Sequence, residues 1–264
     1  MYYNCPEWTY TDGAPDCDGI AKYGGYSVTY QGATHYEEIT SAANNPAGGG
    51  GRGQRHYIGY GSGDGSFIMT GGMKISFPST QTRLWIRWYQ RWEPGFTTNW
   101  HTFKNLFFRS SSAARQAVFH THGDGRVDLN PPDYGTTQSG AAYGYAFYPG
   151  GVSDGTWQCF EVFIDIPNST FRVWVNGDMV AESTNVDFSG VSPFQDFLLP
   201  SNSRYLDTQV RYVDFDDIAI TNTTPANTDS HGNPYIGPLN SSTGGGNTSN
   251  DEVSTPEGFS IMAN

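Results

Sequence analysis

Between Arg83 and Glu93 the chain alternates without a break. Arg83, Trp85, Arg87, Tyr89, Arg91 and Glu93 fall on one face of an extended segment, and Leu84, Ile86, Trp88, Gln90 and Trp92 fall on the other. Such a strand must lay its Leu/Ile/Trp face on a core, so the fold has to supply a sheet with a second layer behind it. The opposite face interleaves three arginines with Trp85 and Tyr89. An unpaired buried charge costs several kcal/mol, so this face needs either water or partners. An open groove would let the rings stack on sugars and the guanidinium forks bind carboxylate or sulfate. A solvated convex strand, with arginine stems lying over the rings, is the alternative.

The rest of the chain repeats the strand pattern. Runs at 54–60, 66–77, 83–92, 103–109, 116–122, 126–129, 143–148, 157–166, 170–176, 179–182 and 209–221 are separated by Gly, Pro, Asn and Asp clusters. No long amphipathic helix interrupts them, and 33 glycines with 15% aromatic residues suit many strands joined by tight turns. The expected fold is therefore all-β, an antiparallel β-sandwich, and 264 residues still suit one such unit. The domain spans residues 1–221, with a loop-rich opening over 1–50 that ends in Asn44-Asn45-Pro46-Ala47 and four glycines. Residues 222–264 turn to Asn, Thr, Ser, Gly and Pro, broken by Tyr235-Ile236-Gly237-Pro238, and read as a linker or tail toward a further module.

Charge is divided unevenly. Ten basic residues between Arg52 and Arg126 face three acids, so that segment carries +7 and the remainder of this −12 chain carries −19. Net acidity argues against nucleic acid as a partner, whereas a basic stretch can focus an anionic ligand onto one surface, unless its arginines pair with acids elsewhere. No apolar run approaches the ~18–20 residues of a membrane span, and Met1-Tyr2-Tyr3-Asn4 lacks the features of a signal peptide. Cys5 and Cys17 are read as a disulfide pinning the opening loop, against two free thiols, and Cys159 as a small core or cleft residue. The cysteine pair, the few lysines and the Ser/Thr/Gly/Asn-rich tail favour an extracellular address, and the protein is expected to be a monomer, as one module of a longer protein or alone.

Chemistry is offered by three further runs. In Gln116–His122 a period of two puts Gln116, Val118, His120 and His122 on one face. Two imidazoles there suit a general base, since histidine titrates near working pH, and less well a zinc site, which would need a third ligand; a plain surface or hydrogen-bonded histidine is the alternative for either one alone. Tyr143 and Tyr145 share a face across Gly144 and can stack on a sugar or deliver a proton, ordinary sheet packing being the plain alternative. Glu161 and Asp165 share a strand face but stand about 13 Å apart by strand rise, beyond the spacing of either glycosidase stereochemistry.

Three segments carry a resemblance: Trp157-Gln158-Cys159-Phe160-Glu161-Val162, then Phe171-Arg172-Val173-Trp174-Val175-Asn176-Gly177, then Val213-Asp214-Phe215-Asp216-Asp217-Ile218-Ala219-Ile220. Together they resemble the closing half of concanavalin A-like jelly rolls, over roughly residues 55–221. That fold serves lectins, hydrolases and polysaccharide lyases alike. No Glu-x-Asp-x-Glu strand of the glucanase kind is present. The arginine strand, Gln116 with His120, and the Tyr143–Tyr148 run are similar to the alginate lyase pattern, though Gln116 and His120 stand four residues apart rather than two. The resemblance implies a lyase acting on an acidic polysaccharide by β-elimination. Arg87 and Gln116 would neutralise the substrate carboxylate, His120 (with His122 second) would be the base, Tyr145 the acid and Lys104 an alternative participant. Arg83, Trp85, Tyr89, Arg91, Tyr143 and Glu161 would hold the chain of sugars. A carbohydrate-binding module and a hydrolase of the same fold are the competing readings. No cofactor is needed for such chemistry. A structural calcium tied by Asp214, Asp216 and Asp217 is implied by the resemblance, a solvated acidic strand end being its alternative.

Overall fold

The computed structural model describes residues 3–4, 21–22, 29–30, 33–34, 37–48, 51–58, 67–69, 73–95, 102–110, 117–122, 127–130, 155–189, 191–199, 202–204 and 211–239. These form two large antiparallel sheets packed face to face, the all-β sandwich expected from the alternation, and a separate two-stranded pair, Thr29–Tyr30 with Ala33–Thr34. The first sheet runs in the order Asp178–Ser183, Thr170–Val175, Gln158–Asp165, Arg83–Trp92, Arg211–Thr221, Gly53–Ile58, Glu37–Thr40. The second runs Val127–Asn130, Ala117–His122, Thr102–Ser110, Phe194–Leu199, Met73–Gln81, Ala21–Lys22, with Asn202–Arg204 also paired to Thr102–Ser110. Apart from two single-turn 3₁₀ segments, Ser41–Ala43 and Pro46–Gly48, the described residues hold no helix.

The arginine strand sits at the centre of the first sheet because its Leu84, Ile86, Trp88 and Trp92 fill the space between the sheets, as their spacing requires. Trp88 stacks on Phe160 of the neighbouring strand at 5.6 Å and meets Phe119 of the other sheet edge-on at 5.8 Å. Its indole N–H is satisfied by Gln90 Oε1 at 3.0 Å, which accounts for a glutamine on the core face. Trp92 and Phe103 make a second inter-sheet contact at 4.7 Å. The Thr170–Val175 and Asp178–Ser183 strands turn through Asn176-Gly177, both at positive φ (54° and 93°), the two-residue hairpin such a pair favours.

Two β-bulges decide which side chains leave the core. One in Thr102–Ser110, between Lys104 and Leu106, lets Phe103, Leu106 and Phe108 all reach the core although they do not share a period of two. The other, between Asp216 and Ala219, puts Asp217 at φ 49° and frees its carbonyl from the ladder.

The opening of the expected linker is folded. Residues 222–239 lie as a strap over the outer face of the first sheet, where Tyr235 and Ile236 pack with Trp85, Phe163, Trp174 and Ala219 in a second, smaller core. Strand Phe194–Leu199, in the middle of the second sheet, is a further element absent from the sequence expectation, while the 66–77 run divides into Phe67–Met69 and Met73–Gln81. Cys5 and Cys17, and the 143–148 run, lie outside the described residues.

Candidate functional site

Two surfaces carry the expected site residues, and the sandwich separates them. The arginine strand belongs to the first sheet and the histidine strand to the second, with the hydrophobic core between, so their polar faces point in opposite directions. Arg87 and His120 therefore cannot act on one substrate group.

The outer face of the arginine strand is a clamp for the strap. Arg87, 5% exposed, donates to Gly237 O at 3.1 Å and to the bulge carbonyl of Asp217 at 3.3 Å. Glu161 stands directly opposite it on the Gln158–Asp165 strand, 1% exposed, and accepts from the Ile236 and Gly237 amides at 2.6 and 2.9 Å. Trp85 Nε1 donates to Pro234 O at 2.9 Å, and the Tyr89 hydroxyl accepts from Leu239 N at 2.8 Å. Trp174 Nε1 donates to Asp229 Oδ2 at 2.8 Å. The arginine and the rings are thus buried with partners supplied by backbone, which the strand alone could not reveal. Desolvation pushes the Glu161 carboxyl up to about 7 against its amide donors and Arg87, raises the Tyr89 phenol, and takes the Cys159 thiol up to about 12. Cys159 is accordingly an inert buried thiol beside Tyr89. Asp165 is occupied by its own turn, accepting from Asn168 N and Nδ2 at 3.1 and 2.8 Å.

Farther along the same face Arg91 and Arg55 both grip Asp214, with Arg55 Nε and Nη2 at 2.7 and 3.0 Å from its two oxygens. On the other sheet Arg109 pairs with Asp196. Three of the ten basic residues between Arg52 and Arg126 are thus held by two acids from elsewhere in the chain. Arg83 differs: it is exposed, its guanidinium stands 5.3 Å from the Trp85 ring, and it pairs with no acid among the described residues.

Asp214 is thereby withdrawn from the expected metal set. Asp216 accepts from the Asn45 and Asp217 amides at 2.6 and 2.9 Å, and Asp217 from Asn45 Nδ2 at 2.7 Å, tying the Ser41–Gly48 segment to the last strand by hydrogen bonds. Among the described residues no three His, Cys, Asp or Glu side chains converge as a metal cluster. The three aspartates are divided between two sets of partners, Asp214 with the arginines and Asp216 and Asp217 with Asn45, whose own Oδ1 accepts from Ala47 N at 3.2 Å.

The outer face of the second sheet gathers the remaining candidates. Lys104 and His120 are direct cross-strand partners, and Thr102 is in register with His122 farther along the same two strands. At that spacing opposing Cβ atoms lie about 4.5–5.5 Å apart. The row continues through Asn202, in register with Lys104, and Asp128, in register with His120. Lys104 and His120 are 6% and 2% exposed, and burial brings the Lys104 ammonium down to about 8. Its Nζ stands 5.9 Å from the Phe107 ring. Sequence spacing names both residues without pairing them, because the bulge beside Lys104 hides the strand's alternation. Gln116, Tyr143 and Tyr145 lie outside the described residues.

No protein-family model matches the chain, and no curated protein matches it. Solved structures do. The endo-β-1,4-glucuronan lyase of the fungus Trichoderma reesei superposes over 78% of this chain and 94% of its own, with a TM-score of 0.53 at 10% identity. An alginate lyase from a Chlorella virus aligns over 72% of this chain and 90% of its own, with a TM-score of 0.49 at 12% identity. At such identity the likeness is one of fold. The chain shares the two-sheet antiparallel β-sandwich fold of the glucuronan lyase structure.

Proposed function

We propose that the protein is a secreted lyase that cleaves a uronate-containing polysaccharide by β-elimination on the outer face of its second sheet. The observation that carries this reading is the buried cross-strand pair Lys104–His120. Eliminating across C4–C5 of a uronate requires the C6 carboxylate to be neutralised, the C5 proton removed and the leaving oxygen protonated. The Lys104 ammonium meets the carboxylate and withdraws charge from the adjacent carbon. Neutral His120 takes the C5 proton. The C5–H electron pair becomes the C4=C5 double bond as the C4–O bond breaks. Tyr145 supplies the proton to the departing oxygen, Gln116 shares in neutralising the carboxylate, and His122 is the second candidate base. Arg87 has no part in this chemistry, since it is committed to the strap.

The burial of the pair supports the roles. In a site shielded from water the ammonium–carboxylate attraction is strengthened, and a lysine brought down to about 8 stays charged at neutral pH while remaining sensitive to alkali. The glucuronan lyase acts on a polymer of this charge type, and the shared sandwich makes its substrate class the first to try. The test is incubation of the purified protein with glucuronan, alginate, a sulfated and a neutral polysaccharide, reading both ultraviolet absorbance and reducing ends. The proposal expects both signals together on a uronate polymer. Reducing ends without absorbance would mean hydrolysis, and binding without either would mean a carbohydrate-binding module.

A further inference from the structure

A polar cleft opens at the turn that joins strand Met73–Gln81 of the second sheet to the arginine strand of the first, and neither Lys104 nor His120 lines it. Its volume is about 320 Å³, and it is built from three separate segments: the turn Thr80–Arg83, the turn Asp165–Asn168, and Asn222 at the root of the strap. The volume lies at the small end of the range for small-molecule sites, about 300–1,000 Å³.

The wall is fixed by hydrogen bonds that leave one cation over. Gln81 Nε2 donates to Ser79 O at 2.8 Å and its Oε1 accepts from Asn222 Nδ2 at 3.0 Å, which locks the strap root to the first turn. Asp165 faces Arg83 directly across the sheet, yet its carboxylate is taken by Asn168 N and Nδ2. An acid that would ordinarily quench Arg83 is thus turned into its own hairpin. Arg83 is left exposed beside the Trp85 ring, with five N–H donors and no acid to receive them among the described residues. Thr80, Thr82, Asn168 and Asn222 line the same cleft as Arg83, and their hydroxyls and amides are short polar groups suited to sugar hydroxyls.

We propose that this cleft binds a carboxylate-bearing sugar residue, with Arg83 as a bidentate anchor for the carboxylate and the threonine and asparagine side chains meeting the ring hydroxyls. The site is an auxiliary grip on an acidic polysaccharide, distinct from the face that would cut it. Its ligand class rests on the proposed uronate substrate, but its geometry does not. A guanidinium fork matches a planar carboxylate in a way that an ammonium cannot, so the site discriminates charged from neutral sugars of one linkage.

The experiment is a nuclear magnetic resonance titration of the His120→Ala protein with a β-1,4-linked glucuronate tetrasaccharide and with the neutral glucose tetrasaccharide of the same linkage. The side-chain amides of Asn168 and Asn222 report the cleft itself. The proposal expects saturable shifts at these amides with the acidic sugar. Adding Arg83→Ala should weaken that site by about tenfold or more, the worth of one charge-assisted bidentate contact. Arg83→Lys should restore only part, and Arg83→Ala should keep the parent's melting temperature. Shifts that survive Arg83→Ala undiminished, or that the neutral sugar reproduces equally, would overturn it. If the native protein releases no unsaturated product while the cleft binds as described, the lyase reading falls and this site stands. Unsaturated product with no shift at the two amides gives the reverse.

Discussion

Replacing Glu161 by glutamine isolates the clamp that holds the strap. In the folded protein this carboxyl titrates at about 7 against an ordinary value of 4.5, because its burial at 1% exposure outweighs two amide donors and Arg87. The folded state therefore binds the proton more tightly than the unfolded chain. For an acid shifted in this direction, the stabilising contribution is complete below pH 4.5 and is lost as pH rises through 7. The interval of roughly 2.5 units at 1.36 kcal/mol each gives about 3 kcal/mol. The Glu161→Gln side chain would mimic the protonated form at every pH, with a constant offset for its second donor facing an amide, on the order of 1–3 kcal/mol. The stability difference between variant and parent should thus move by about 3 kcal/mol in the variant's favour between roughly pH 4 and pH 8, whatever the offset. At about 2–4 °C per kcal/mol for a chain of this size, melting curves across that range resolve it. Hydrogen exchange at Ile236 and Gly237 should follow the same pH course. A difference that stays flat with pH would refute the reasoning.

Lys104→Arg should move the alkaline limb of kcat/KM upward from about 8, because a guanidinium keeps its charge, while Lys104→Ala should lower kcat/KM by about 10²-fold or more; both are read from pH–rate profiles. Trp88→Ala removes the ring that joins both sheets and should cost about 3–5 kcal/mol in chemical denaturation. Gly177→Ala forces a Cβ onto a backbone at φ 93° and to 3.1 Å from Pro238 of the strap, so it should destabilise by about 1 kcal/mol or more and speed proteolysis of residues 227–239.

The sandwich is legible in the sequence because its strongest signal, the alternation from Arg83 to Glu93, sets both strand and core face without help from distant residues. The Asn176-Gly177 hairpin is legible for the same local reason. Alternation cannot say which sheet a strand joins. Arginine and histidine strands with similar polar faces consequently suggest one groove, whereas the core lies between them. The strap is hidden by its composition: Tyr235 and Ile236 are few among Asn, Thr and Pro, yet the backbone of Ile236 and Gly237 supplies the partners that Arg87 and Glu161 need. Phe194–Leu199 escapes notice because the bulge between Phe194 and Asp196 sets the core residues Phe194 and Phe197 three apart, out of the period of two. The bulge at Lys104 likewise masks its pairing with His120, which only the cross-strand register exposes.

The central claim is elimination at the Lys104–His120 face, and the direct measurement is the absorbance of unsaturated uronate ends released from glucuronan by the native and His120→Ala proteins. The account predicts rising absorbance with the native protein, loss by about 10²-fold or more with His120→Ala, and retained binding of the polymer by that variant. Contradiction would come from a His120→Ala protein that releases unsaturated ends as fast as its parent, or from a native protein that releases none from any uronate polymer.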